Sequence, residues 1–293
     1  MESSNDIGDI PQSQQVHVSM GFLRDLQLYN VEKPYHLTIS KDRESDTVLT
    51  NIVHDLYNDV PVTNVRGSET YFELDTHGFQ LARHRTSMSI EDFGSPELVQ
   101  GRYFPEMAKY LEHHLGAREV RIMFYNVRRR SLGLVDEICE KERQGQGRPI
   151  PGIHIDASAD GALKRIQDNW PSEVRSICEG RYQILNVWRP LGPPLRDWPL
   201  ALCDVRSVNE EDKVKADLIY PGYEGENTLL YFSPHYRFYF VDGQKEDEIW
   251  IFKQFDSASG VAGGCPHGSF KSPQTTTSSI SSQSIDIAAL VIY

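Results

Sequence analysis

Two residues with metal-binding side chains stand close together near the middle of the chain, in the segment PGIHID that contains His154 and Asp156. On a β-strand, residues i and i+2 project from the same face, so this imidazole and this carboxylate can reach one cation. His267, in the later segment CPHGSF, is available as a third ligand. Two histidines and one carboxylate leave open positions on a metal, which suits Fe(II) oxygenases that bind a co-substrate and dioxygen.

The spacing alone does not identify a metal site. A His-x-Asp pair arises easily by chance and is most often an ordinary hydrogen-bonded pair, and the chain contains 10 histidines. A third ligand could equally be drawn from His54, His113, His114 and His235. The pattern by itself therefore leaves His154 open as either a metal ligand or an ordinary surface or core histidine.

The composition of the chain limits its fold and its partners. With 293 residues, of which 39% are hydrophobic and 25% charged, the chain can bury one sizeable core. We predict a flexible polar segment over residues 1–16, followed by a single domain over residues 17–293. The net charge is −12 and the longest basic run is residues 128–130, so we expect no nucleic-acid partner.

The chain also lacks the sequence features of membrane and secreted proteins. No apolar stretch reaches the roughly 18–20 residues that span a bilayer, and no basic region followed by an apolar run begins the chain. The 4 cysteines are widely spaced without a CxxC pair, so no disulfide framework is expected. These features predict a cytoplasmic protein with no membrane partner and a neutral or modestly polar substrate. They leave the oligomeric state undetermined.

Helix and strand patterns place the candidate ligands in a β-rich chain. Residues 95–116 carry apolar side chains at helical spacing, with Ser95 as N-cap and Gly116 as the stop. Pro105 is a site for a kink in this helix, and residues 160–179 form a second helical segment. Strand patterns occupy residues 51–65, 120–125, 182–188, 228–232, 237–241, 248–252 and 285–293. This series predicts a mainly β fold of two facing sheets with flanking helices.

Four further segments resemble a known family: GRYQILNVWRPL at residues 180–191, DWPLALCDVRSV at 197–208, SPHYRFYF at 233–240 and DEIWIFKQFDS at 247–257. In this order they closely resemble the fungal hydroxylase/desaturase family of non-haem iron, 2-oxoglutarate-dependent enzymes. The resemblance implies a distorted double-stranded β-helix, or jelly-roll, with an Fe(II) centre formed by His154, Asp156 and His267. It also implies hydroxylation or desaturation of a small hydrophobic natural product in secondary metabolism.

The last strand departs from the family pattern. Family members usually end in a strand that resembles RESIEVRALV, whereas residues 282–291 read SQSIDIAALV. Ser282 and Ala288 replace two arginines, and an Arg-x-Ser of this kind is the family's usual clamp for the distal carboxylate of 2-oxoglutarate. Ser284 is retained as a co-substrate contact, but a serine cannot replace a bidentate cation.

Two explanations follow from that loss. In the first, another arginine binds the co-substrate, with Arg189 and Arg237 as the best-placed candidates and residues 128–130 next. In the second, 2-oxoglutarate is no longer used, and the scaffold acts as a pericyclase, cyclase or isomerase in an apolar cavity. We predict an oxygenase, with the non-oxidative enzyme as the alternative and a non-catalytic binding protein as a third hypothesis. Catalytic residues other than the metal ligands remain unassigned.

Overall fold

The computed structural model describes residues 14–41, 45–129, 152–273, 275 and 283–293. Its strands are β1 (Gln15–Leu23), β2 (Tyr35–Lys41), β3 (Ser45–Thr50), β4 (His54–Asn64), β5 (Phe79–Arg83), β6 (Glu119–Arg129), β7 (His154–Ile155), β8 (Tyr182–Leu191), β9 (Leu200–Cys203), β10 (Lys213–Tyr220), β11 (Tyr223–Leu230), β12 (Phe238–Phe240), β13 (Glu248–Asp256), β14 (His267–Ser269) and β15 (Gln283–Ile292). Its α-helices are α1 (Leu74–His77), α2 (Pro96–Leu98), α3 (Phe104–Leu115), α4 (Ala159–Asn169) and α5 (Val174–Cys178). A π-helical turn covers Val99–Tyr103, and 3-10 turns cover Gln27–Asn30, Glu69–Tyr71, Glu91–Gly94, Val205–Ser207 and Glu210–Asp212. No helix among these described residues is long and apolar enough to cross a bilayer.

The strands form two sheets. The larger has the order β1-β4-β12-β9-β14-β7-β11-β10-β2-β3, and the smaller has the order β5-β13-β8-β15-β6. Side chains from both sheets meet in one apolar cluster, in which Trp188, Trp250 and Phe252 of the smaller sheet pack with Leu202 and Tyr239 of the larger. Two sheets that face each other across an apolar core confirm the predicted mainly β class.

The smaller sheet is covered on its outer face by the helix predicted at residues 95–116. Tyr103 and Leu111 pack there in an apolar cluster with outward-facing residues of β6, β8, β13 and β15. Along β8, Leu185 and Val187 belong to this helix-side cluster, whereas Trp188 belongs to the cluster between the sheets. Alternation along the strand therefore decides which β8 side chains reach the space between the two sheets.

The predicted helix contains a local irregularity. Ser95 accepts a hydrogen bond from the amide of Leu98 at 3.3 Å, as an N-cap does, and Gly116 ends the helix with a φ of 64°. Pro105 has no amide hydrogen, so the carbonyl four residues earlier loses its helical partner. The π-helical turn at Val99–Tyr103 ends two residues before this proline. The predicted kink therefore takes the form of a widened turn.

The sequence patterns missed two strands of the larger sheet, the edge strand β1 and the internal strand β10. β10 (KVKADLIY) is polar and only half-buried, and β1 lacks a period of two because its C-terminal half is almost wholly buried. Gln15 and Val16 belong to β1, although they were predicted to lie in a flexible segment. Residues 1–13 of that segment lie outside the described residues.

Helix α4 follows the His-x-Asp segment and packs directly on β11. The hydroxyl of Ser158 accepts a hydrogen bond from the amide of Gly161 at 3.0 Å, and the amide of Ser158 donates to the carbonyl of Glu226 at 3.1 Å. A Cβ at Gly161 would overlap that same carbonyl oxygen. The start of α4 is therefore fixed to the sheet two residues after Asp156.

Gly161→Ala is expected to destabilise the protein by about 1–3 kcal/mol, because the added methyl group must push α4 away from β11. Gly101→Ala is the matched control, since a Cβ at this exposed glycine would meet no atom within 4 Å. That change should raise the stability by up to about 1 kcal/mol through helix propensity. Urea unfolding measures both free energies. A stabilised Gly161→Ala variant would mean that α4 does not contact the sheet this closely.

Candidate metal centre

The larger sheet brings the three candidate ligands together. His154 lies in β7, Asp156 directly follows this strand, and His267 begins β14. β14 pairs with β7 so that His267 lies opposite His154. One ligand atom from each of the three side chains lies within 4.8 Å of the other two. The Nε2 atoms of His154 and His267 lie 3.1 Å and 3.7 Å from the carboxylate oxygens of Asp156.

Backbone carbonyl groups orient both imidazoles. The Nδ1 of His154 lies 2.8 Å from the carbonyl oxygen of Gly152, and the Nδ1 of His267 lies 3.1 Å from that of Cys265. A carbonyl oxygen only accepts hydrogen bonds, so each Nδ1 carries a hydrogen. In the neutral imidazole, the lone pair then lies on Nε2, which is the nitrogen that faces Asp156 in both residues.

Asp156 is held by three different elements. The Nδ2 of Asn186 on β8 donates a hydrogen bond to the carboxylate of Asp156 at 2.6 Å. The backbone amide of Asp156 donates to Oε1 of Gln254 on β13 at 2.6 Å. Arg165 on α4 donates to its carbonyl oxygen at 2.5 Å. These contacts fix the carboxylate between the two sheets, in the way that outer hydrogen bonds orient the ligands of metal sites.

Burial and mutual charge set the protonation of the three side chains. Burial opposes ionisation of Asp156, but its electrostatic interaction with His267 and its hydrogen bond with His154 outweigh burial and hold the pKa of Asp156 well below its usual range. Burial, reinforced by His154, lowers the pKa of His267 to about 4. For His154, burial is outweighed by the hydrogen bond to Asp156, and its pKa is raised. An ionised carboxylate beside a neutral imidazole is the state in which such groups bind metals.

A cavity between the sheets ends at these three side chains. Its apolar lining consists of Trp188, Leu195, Trp198, Leu200 and Phe252. Its polar lining includes Arg128, Asn186, Ser284 and Asp286 in addition to the triad itself. Two imidazoles and one carboxylate that converge in a cavity with both aromatic and polar lining residues fit a ferrous ion with positions left for further ligands.

Comparison with known proteins assigns the family. A family model described as "Oxidoreductase/YMDC permease-like domain" matches residues 21–292. The hydroxylase/desaturase CTB9 of Cercospora beticola is 34% identical to this chain over 236 residues, which are 73% of this chain and 70% of CTB9. The chain belongs to the fungal hydroxylase/desaturase family. The family predicted from the sequence motifs is thereby confirmed.

Two further relatives extend the comparison. The alpha-ketoglutarate-dependent dioxygenase tstK of Talaromyces stipitatus is 30% identical over 239 residues, or 80% of this chain and 84% of tstK. The solved structure of the iron and alpha-ketoglutarate-dependent endoperoxidase NvfI superposes with a TM-score of 0.80 at 22% sequence identity. The superposition covers 96% of this chain and 98% of NvfI. It confirms the predicted jelly-roll fold.

The structure does not place Arg189 where the sequence hypothesis requires it. This residue lies on β8 between Trp188, which lines the cavity, and Pro190, so its side chain points to the opposite face. There its guanidinium donates to the hydroxyl of Tyr103 at 2.9 Å and to the carbonyl oxygen of His84 at 2.9 Å. The geometry therefore does not support Arg189 as the anchor of a co-substrate in this fungal hydroxylase/desaturase family member.

Arg237 does not line the cavity either. Its guanidinium forms an ion pair with the buried Asp204 at 3.2 Å, on a partly exposed surface. Ser284 does line the cavity, and Ala288 lies opposite Asn186 in the pairing of β15 with β8. Ser282 lies outside the described residues. Of Arg189, Arg237 and Ser284, the structure thus places Ser284 alone in the cavity of the triad.

The sequence hypotheses gave too little weight to two residues that line the cavity, Arg128 and Asp286. Arg128 was named only as a later alternative to Arg189 and Arg237, and Asp286 was not considered. Both line the cavity, and the Nε of Arg128 donates to Asp286 at 3.2 Å. The sequence signal for Arg128 was the alternation of side chains along β6. Only every second residue of this strand, which pairs with β15, faces the cavity.

Proposed function

We propose that this protein is an Fe(II)- and 2-oxoglutarate-dependent oxygenase that oxidises a small hydrophobic natural product, with the iron held by His154, Asp156 and His267. The observation that carries this proposal is the convergence of the three ligand atoms within 4.8 Å of one another. The Nδ1 of each imidazole is bonded to a backbone carbonyl group, which leaves Nε2 to bind the metal, and Asp156 contributes its carboxylate. This is the ligand set that non-haem Fe(II) oxygenases use.

The residues of this chain supply the position of the metal and the environment of the substrate. When bound, the ferrous ion supplies dioxygen activation coupled to oxidation of 2-oxoglutarate. Asn186 and Gln254 hold Asp156 in a fixed orientation, which keeps the ligand geometry constant during turnover. The indole and phenyl rings of Trp188, Trp198 and Phe252 exclude water and favour an apolar substrate.

The relatives support an oxidative reaction, because they carry the names hydroxylase/desaturase, dioxygenase and endoperoxidase. The non-oxidative alternative rested on the loss of the two arginines of the last strand. That support is weakened, because an arginine from another strand, Arg128, lines the cavity. We therefore retain the oxygenase as the function, with hydroxylation, desaturation or ring formation of the bound substrate as its reaction.

Anaerobic titration tests the proposal directly. Fe(II) should bind the protein at one site, and 2-oxoglutarate added afterwards should produce the weak visible charge-transfer absorption of an Fe(II)–2-oxo acid chelate. Admission of oxygen should then yield succinate slowly even without substrate. Absence of one-site Fe(II) binding, or absence of succinate from the iron-loaded protein, would contradict the proposed function.

A further inference from the structure

A second cleft lies between helix α4, strand β6 and the hairpin of β10 and β11. It has a volume of about 450 Å³ and shares no lining residue with the cavity of the metal centre. Its apolar lining includes Phe124, Ile219 and Tyr223, and its charged lining includes Arg165 of α4. A cleft of this size, with an apolar lining and a few charged groups, is typical of small-molecule sites.

Arg165 carries a buried positive charge without an ion pair among the described residues. The residue is 7% exposed. Its Nη2 donates to the backbone carbonyl oxygen of Asp156 at 2.5 Å, and its Nη1 is buried without a hydrogen-bond partner. Arginine is seldom buried unless it is paired, because an uncompensated charge in the interior is costly. The free Nη1 therefore favours an anion as the ligand of this cleft.

The carboxylate of Asp156 does not compensate this charge by direct contact. Arg165 bonds to the backbone of Asp156, whereas the carboxylate faces the Nε2 atoms of His154 and His267. A divalent metal ion at the triad would also take up the negative charge of that carboxylate. The guanidinium of Arg165 would then lack a compensating anion in the metal-loaded protein.

Two aromatic side chains flank the guanidinium within the cleft. The ring centroid of Phe124 lies 5.3 Å from Cζ of Arg165, and Phe124 is 38% exposed, so it can turn aside and uncover Nη1. Tyr223 forms a fixed wall, since its ring lies across Gly225, where a Cβ would overlap it. The cleft thus combines a buried donor with more exposed apolar surface.

Acidic side chains limit the charge that a ligand can carry. Asp168 and Glu224 line the same cleft, and Lys164 pairs with Asp168 at 3.0 Å. These carboxylates repel a ligand with several negative charges, because like charges brought together across an interface are unfavourable. A single carboxylate attached to an apolar body satisfies Arg165 and avoids that repulsion.

We propose that this cleft is a second ligand site, which binds a small monocarboxylate with an apolar body. The Nη1 of Arg165 donates to the carboxylate of the ligand, while Nη2 keeps its bond to Asp156. The apolar body lies against Phe124 and Tyr223. The inference goes beyond the proposed function and does not depend on it, since the cleft contains no residue of the metal triad.

A carboxylic acid and its neutral amide test this site. Hydrocinnamate carries one carboxylate on an apolar body, and hydrocinnamamide has nearly the same shape without the charge. Calorimetric titration into the full chain without added metal should show that the acid binds roughly 10–100-fold more tightly, as expected for a hydrogen bond to a charged group. In Arg165→Met the acid should bind no more tightly than the amide. In Arg175→Met, which removes an exposed arginine outside the cleft, the preference should stay unchanged.

Two further variants locate the site. Tyr223→Ala removes an apolar wall and should weaken the binding of both compounds by roughly 3–10-fold, and it keeps the contact of Arg165 with Asp156 if Arg165→Met proves unstable. His267→Ala should leave both affinities unchanged, because His267 lines the metal cavity. Equal affinities for acid and amide in the unmodified protein would overturn the proposal. So would a full preference for the acid in Arg165→Met, unchanged affinities in Tyr223→Ala, or loss of acid binding in His267→Ala.

Discussion

His267→Ala is expected to abolish detectable Fe(II) binding and Fe(II)-dependent succinate formation. The side chain is one of three whose ligand atoms converge, and its loss leaves two ligands on neighbouring positions of one segment. Asp156→Ala should have the same effect, because it removes the only carboxylate of the triad and leaves two buried imidazoles facing each other. Titration with Fe(II) under argon, followed by succinate quantification after oxygen is admitted, measures both consequences.

Two further variants test whether the loss of Fe(II) binding is specific to the three ligands. Asn186→Ala removes an outer hydrogen bond to Asp156 but no ligand, so it should weaken metal binding by roughly 10–100-fold, less than either ligand variant. His235→Ala replaces an exposed histidine outside the cavity and should leave metal binding unchanged. If His267→Ala bound Fe(II) as tightly as the His235→Ala control, the proposed ligand set would be incorrect.

The second large effect is expected at a buried lysine on β13. Lys253 is fully buried, and its Nζ lies 2.6 Å from Asp75, 2.5 Å from Asp256 and 3.1 Å from the carbonyl oxygen of Ala262. Lys253→Met should lower the free energy of unfolding by about 3–5 kcal/mol, because it leaves the buried carboxylate of Asp256 without its nearest cation. Urea unfolding followed by far-ultraviolet circular dichroism measures the loss.

The Lys253→Met substitution should also disturb the position of His267 in the metal centre. The carbonyl of Lys253 accepts a hydrogen bond from the amide of Cys265 at 2.7 Å, and Cys265 in turn orients the imidazole of His267. Lys164→Met is the control, since its exposed ion pair with Asp168 should change stability by no more than about 0.5 kcal/mol. Equal stabilities for Lys253→Met and Lys164→Met would show that the buried ion pair contributes nothing.

The ion pairs around Lys253 also predict how the stability of the protein changes with pH. Burial raises the pKa of Asp256, but hydrogen bonds from Arg181 and Lys253 outweigh it and lower the pKa to about 2. The pKa of an aspartate in the unfolded chain is about 3.9, so the folded state binds the proton less tightly. The contribution of Asp256 to stability is therefore complete above about pH 4 and is lost as the pH falls through 2. Lys253→Met should reduce this acid-dependent part of the unfolding free energy.

The sequence alone determined the family and much of the local structure. The apolar β8, β13 and β15 were predicted as strands because their β-branched and aromatic residues favour extended backbone between turn residues. The ends of the helix at residues 95–116 were predicted because a serine N-cap and a terminal glycine act through the local backbone. The His-x-Asp segment indicated a shared face for the same local reason.

Only the tertiary structure decided which distant residues meet. The residue spacing left the third ligand open among several histidines, and His267 followed only from the family resemblance. Its contact with His154 depends on the pairing of β14 with β7, which no local pattern specifies. The choice between Arg189 and Arg128 depends on which face of each strand turns inward. Arg189 points to the helix side of β8, whereas Arg128 lies opposite Ser284 on the cavity side of β6. A shift of one residue in either strand would exchange these faces, because side chains alternate along a strand and its register is fixed by the packing of the whole sheet.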